Sequence, residues 1–247
     1  MIRSLAHCLL FPLALAVSTG AVAAPAAQAP VRAGPAADRP ASKLLALELA
    51  RIGQPRELLV EGVLMGFDLA AAEQKQDEES LAVEKQFPGF LAALRARGRD
   101  ELASIMTERA PILHERLAEV YVANLSDADM RAIIAFFQTP TGKKFVRAMA
   151  MSPPASNAAD DLDLTEEELA DAGKSAAGQA MKQMSGDEWI ELVKFGMSPA
   201  GRANRALTTK VQPVVATVFT ELMTDFAERM RPITLEVLEK YRKTAAK

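Results

Sequence analysis

Few residues in this 247-residue chain have the type and spacing that catalysis or metal binding requires. The histidines are His7 and His114, and the one cysteine is Cys8. His7 and Cys8 lie in an N-terminal segment expected to be removed. His114 then stands beside Leu113 and Leu117 with no second His or Cys to complete a metal site or triad, and it reads as a packing or surface residue. Gly196-Met197-Ser198-Pro199-Ala200-Gly201 has the look of a nucleophile elbow. Ala200 holds the place of the second glycine, however, and no strand precedes the segment, so Ser198 reads as a helix cap. Gly173-Lys174-Ser175 ends like a phosphate loop, but Glu168 falls where its first glycine belongs. Asp160, Asp161 and Asp163 with Glu166 to Glu168 lack the spacing and central glycine of a calcium loop, and acids there suit a helix N-terminus. Met149, Met151, Met181 and Met184 include the soft ligands copper(I) would want, yet methionine at helical spacing is more often adaptable core filler. No cofactor, no metal and no enzymatic activity is expected.

The elements that must position any binding site are helices. Met1-Ile2-Arg3, an apolar run from Leu5 to Val17, and Ala21-Val22-Ala23 have the layout of a secretory signal peptide. Cleavage is expected after Ala23; the alternative is an uncleaved anchor, for which the run is short. Cys8 precedes the apolar run and follows the bulky His7, so a lipidated cysteine is not expected there. The reading is a periplasmic or secreted protein with no later transmembrane segment. Residues 24–41 carry Pro25, Pro30, Pro35 and Pro40 among alanines, which predicts an extended tether. With a net charge of −3 and no cationic block, nucleic acid is not an expected partner.

From 42 onward the apolar spacing is helical and no period of two appears. Ser42 is the expected N-cap of a first helix ending at Gly53. A second helix should bury Leu58, Leu59, Val63, Phe67 and Ala70. Phe87-Pro88-Gly89 breaks the chain, and a short helix is expected to end at Gly98. A long helix carrying Leu102, Ile105, Met106, Leu113, Leu117, Val120 and Tyr121 follows, with Pro111 as a kink. Residues 152–164 read as a linker between two helical subdomains, 42–151 and 165–247. Thr165 and Glu168 open a helix running towards Met184. The last helix presents Val211, Val215, Val218, Leu222, Phe226, Met230, Ile233 and Val237 as one stripe, expected to pack on the repeat helices described next.

The segments 125–143 and 184–202 align without gaps. Ser126 and Ser185 are predicted N-caps, each with an acid three residues on to complete a capping box. The apolar positions 130, 133, 134 and 137, and 189, 192, 193 and 196–197, should face a core. Phe136 and Phe195 lie a turn before a corner. Thr139 and Ser198 are pushed out of the helical region by the following proline and cap the next helix; Pro140 and Pro199 take its first position. Gly142 and Gly201 permit close helix approach, and Lys143 and Arg202 follow on the exposed side. The architecture expected is an all-α helical bundle with two helix–corner–helix repeats and a long C-terminal helix.

Leu125-Ser126-Asp127-Ala128-Asp129 followed by Phe136-Phe137-Gln138-Thr139-Pro140-Thr141-Gly142-Lys143-Lys144 resembles the motif of an exported bacterial family, domain of unknown function two thousand and fifty-nine. The likeness extends over Leu102 to Met149 and is weaker over Met184 to Leu207, where Gly196 and Ala203 replace the second aromatic and the second lysine. The resemblance implies a helical periplasmic protein and supplies no catalytic residues. The expected function is a non-enzymatic interaction or binding module with a periplasmic protein partner. The alternative is a carrier or sensor of an apolar ligand such as a lipid, held between helices.

Overall fold

A computed structural model describes residues 40–74, 78–151, 178 and 180–245. Among these residues every regular element is a helix: α1 (Pro40–Gly53), α2 (Arg56–Gln74), α3 (Glu78–Gln86), α4 (Phe90–Asn124), α5 (Asp127–Gln138), α6 (Pro140–Ala150), α7 (Gly186–Met197), α8 (Pro199–Ala206) and α9 (Thr208–Ala245). The signal segment, most of the tether, the linker and the acids and Gly-Lys-Ser of 160–175 lie outside the described residues. Of the helix expected from Thr165, Gly178 and Ala180 to Lys182 are described, and they are helical.

The two longest helices, α4 and α9, have 35 and 38 residues, which at about 1.5 Å per residue gives roughly 50 to 57 Å of axis. They pack antiparallel along their length. Lys210 and Asn124 meet at one end, and the Tyr241 hydroxyl donates to the Gly89 carbonyl at 2.9 Å at the other. Between them, Arg109 donates to Asp225 (2.9 Å) and Glu221 (3.1 Å), Arg116 to Glu221 (3.0 Å) and Arg229 to Glu108 (2.6 Å). Partly exposed pairs contribute about 0–1 kcal/mol each, so this ladder sets register more than stability. Burial supplies the stability. Leu102, Ile105 and Leu117 of α4 and Leu222 of α9 are fully buried.

The last helix packs chiefly on α4 and only slightly on α8, so the expected docking against the repeat helices is corrected. Its stripe matches α4 in length and continuity, which the short corner helices cannot do. Three prolines, Pro111 in α4 and Pro213 and Pro232 in α9, lie inside these helices, and all three are exposed. The carbonyl each leaves without a helical donor therefore faces the side where water can reach it.

Two further expectations are corrected. Gly98 does not end a helix. It lies within α4, where a Cβ would stand 3.1 Å from Phe67 Cζ, so its role is close approach to α2. Ser42 is not an N-cap, because α1 starts at Pro40, whose missing N–H costs nothing in a first turn. Its buried hydroxyl instead donates to Asp127 of α5 at 2.7 Å. Among the described residues an apolar core takes members from both sides of 152–164, among them Leu49, Val63, Leu117 and Phe137 on one side and Leu192, Val215 and Leu222 on the other.

Replacing Leu222 by Asp should bury an unpaired charge between α4 and α9 and lower unfolding stability by about 3 kcal/mol or more. Chemical denaturation of the purified variant measures it; an unchanged midpoint would show that this face of α9 is not packed.

Candidate functional site

Both corners form as their sequences predict. Ser126 accepts from the Asp129 N–H at 3.2 Å and its own N–H donates to the Asp129 carboxylate at 3.2 Å. Ser185 and Glu188 repeat the arrangement at 3.4 and 2.7 Å. Thr139 and Ser198 then cap α6 and α8, each accepting from the glycine three residues on (Gly142 and Gly201) at 3.0 Å, with Pro140 and Pro199 in the first turn. A Cβ on Gly142 would lie 2.1 Å from the Phe136 carbonyl oxygen, and one on Gly201 2.0 Å from that of Phe195. These are backbone contacts within each corner, so no side-chain rotation relieves them. The glycines are what let the second helix fold back onto the end of the first.

The two corners dock reciprocally. α5 lies against α8 and α6 against α7, while the Phe136 and Phe195 rings stack with centroids 3.9 Å apart and planes 3° from parallel. Lys144 donates to Glu188 at 2.6 Å, and the Thr141 hydroxyl donates to Glu191. Hydrogen bonding from Lys144, then from the Ser185 backbone, holds the Glu188 carboxyl below its ordinary pKa. Lys143 is exposed; Arg202 is exposed too, and donates to the Met197 carbonyl at the end of α7. The motif residues other than Lys143 thus serve capping, turning and docking.

In the first copy Met130, Ile133, Ile134 and Phe137 are buried as expected. The second copy departs. Trp189 and Met197 were expected to face a core but are 38% and 67% exposed. Among the described residues its helix α7 packs chiefly on α6 and α8, and its buried stripe is Leu192, Phe195 and Gly196. Trp189, Ile190 and Met197 form an apolar outer face.

His114 is buried, and its Nε2 stands 2.7 Å from the Gln54 carbonyl oxygen in the α1–α2 turn. Desolvation pulls its pKa below the usual imidazole value, which favours a neutral ring donating that hydrogen bond. Its role is to tie the turn to α4. Met149 is in the core, and Met181 and Met184 pack against it. Among the described residues no group of three His, Cys, Asp or Glu could hold a metal ion.

Two hollows among the described residues lie away from the corners, one of about 360 Å³ beside His114 and a larger one. A groove of about 580 Å³ opens between α2, α4 and α9. Phe67, Leu94, Phe226, Met230 and Leu235 line it, with Arg231 and Thr234 also in its wall. Phe67 and Phe226 meet edge to face with centroids 6.1 Å apart and are almost wholly buried, whereas Leu235 is 64% exposed. Nothing local in the sequence marks this groove, because its residues come from three helices and each obeys its own helix's apolar period.

Residues 112–160 match the model of a bacterial family, "Uncharacterized protein conserved in bacteria (DUF2059)". That span takes in the end of α4 with α5 and α6, and hence the first corner. The DUF2059 match begins later than the likeness read from the motif and does not include the second corner or the groove-forming part of α9. Neither the curated proteins nor the solved structures contain a match to the chain.

Gly142→Ala and Gly201→Ala should each cost about 3 kcal/mol of stability, since the new methyl meets backbone on both counts. Lys143→Ala should cost about 0–1 kcal/mol as an exposed charge. Thermal melts decide it: wild-type melting for either alanine variant would mean that the corner relaxes and the glycine is there for another reason.

Proposed function

We propose that this protein is an exported, non-enzymatic binding module of the bacterial envelope that holds an apolar ligand in the groove between α2, α4 and α9. The observation that carries the reading is the groove itself: concave, walled by aromatic and aliphatic side chains, and within the size range of small-molecule sites. Leu94, Met230 and Leu235 stand around an open hollow with a largely apolar wall, whereas the smaller hollow beside His114 is walled in part by Arg51, Arg56, Glu57 and Glu115. The residues with chemical potential support a non-enzymatic role, since His114 and Ser198 are engaged by the backbone of the turns they hold. No helix of the described residues is long and apolar enough to cross a membrane. Export rests on the N-terminal sequence layout.

A second reading has its own observation. The outer face of α7, with Trp189, Ile190 and Met197 exposed, could seat a protein partner.

Titration with the neutral hydrophobic fluorophore N-phenylnaphthylamine separates the two. The dye should brighten on one site per chain. Ala227→Trp, at an exposed position in the groove wall, should weaken binding by roughly tenfold or more, as expected when a large side chain fills a pocket, while leaving the melting temperature unchanged. Dye binding that ignores the tryptophan would remove the groove reading and favour the α7 face.

A further inference from the structure

Resting on the groove reading, we infer that the ligand is a single-chain fatty acid, seated with its hydrocarbon tail against Phe67 and Phe226 and its carboxylate at Arg231. Two features point to this class. The first is charge. Arg231 is the one charged side chain lining the groove, it is exposed, and it makes no ion pair among the described residues. Its counterparts along the α4–α9 seam are all engaged: Arg109 with Asp225 and Glu221, Arg116 with Glu221, and Arg229 with Glu108. The carboxylates nearest to it along α9, Glu228 and Glu236, do not line the groove. A free guanidinium beside an apolar hollow is complementary to an anion carried on a hydrocarbon chain.

The second is shape and polarity. The wall offers little besides carbon. The Thr234 hydroxyl already donates to the Met230 carbonyl at 2.8 Å, so it has no proton to spare for a ligand. A ligand with polar groups along its length would lose their hydration without replacement. One whose polarity is confined to one end would not. The groove's volume, about 580 Å³, fits one chain rather than the two of a diacyl lipid or the helix of a partner.

The test is displacement of N-phenylnaphthylamine by three amphiphiles with the same tail: decanoate, decanol and decyltrimethylammonium. Decanoate should displace best and the cation worst. Arg231→Gln should weaken decanoate by roughly two- to fivefold, the scale of one rim charge, and leave decanol unchanged. Arg231→Lys should keep most of the preference, and added salt should erode it. Arg231 is exposed, so these variants should melt like wild type. Equal displacement by decanoate and decanol, unaltered in Arg231→Gln, would overturn the anionic head and leave an apolar groove standing. Failure of the dye and of all three amphiphiles to bind would overturn the groove reading itself, leaving the hollow to side chains of a protein partner.

Discussion

Water must be kept from α4 on more than one side, and the placing of α1, α2, α3 and α9 follows from that. Phe90, Leu102, Ile105, Met106, Ala110, Leu113, Leu117, Ala118 and Tyr121 are all buried, and they do not fall on a single narrow stripe. One partner helix covers roughly a third of a helix's circumference, so α4 needs several. It has them in α1, α2, α3 and α9. Length is the second half of the constraint: only α9, with its unbroken apolar stripe, runs beside α4 from the Asn124 end to Gly89. The ionic ladder and the Tyr241–Gly89 hydrogen bond then select one register among the alternatives that apolar contact alone would leave nearly equal.

The corners solve a different problem. A helical chain that must reverse direction within a residue or two leaves terminal N–H and C=O groups without partners. Here Ser or Thr caps, an acid closing the capping box and a proline without an N–H meet that need, and glycine removes the only atom that would block the fold-back. Because the two corners dock α5 on α8 and α6 on α7, each buries what the other exposes, and the stacked Phe136 and Phe195 rings sit where they meet. The DUF2059 match covers one of the two corners, and the second corner and α9 lie outside it.

How much of this could be read from the sequence depended on whether the cause was local. Caps, helix-breaking turns and apolar stripes are fixed by neighbours within a few residues, and the capping boxes, the proline corners, the buried faces of α2, α4 and α9 and the all-α class were all legible. Errors arose where a local signal had a distant cause. Gly98 looks like a helix stop but is a contact with Phe67; Ser42 looks like a cap but reaches Asp127, far along the chain. Trp189 and Met197 have core-like identities, yet among the described residues the buried stripe of α7 is Leu192, Phe195 and Gly196. The groove was the least legible feature. It is a shortfall of packing among three helices, and no one of them records it.

What turns that shortfall into a function is the claim that something fills it. Native mass spectrometry of the protein purified from a bacterial periplasm without detergent addresses the claim directly. The account predicts a polypeptide ion carrying one additional mass, that of a single-chain amphiphile, which is lost on gentle collisional activation and is missing when the groove is blocked at Ala227. The bare polypeptide mass from every preparation, with no adduct gained on mixing with envelope lipid extract, would contradict it.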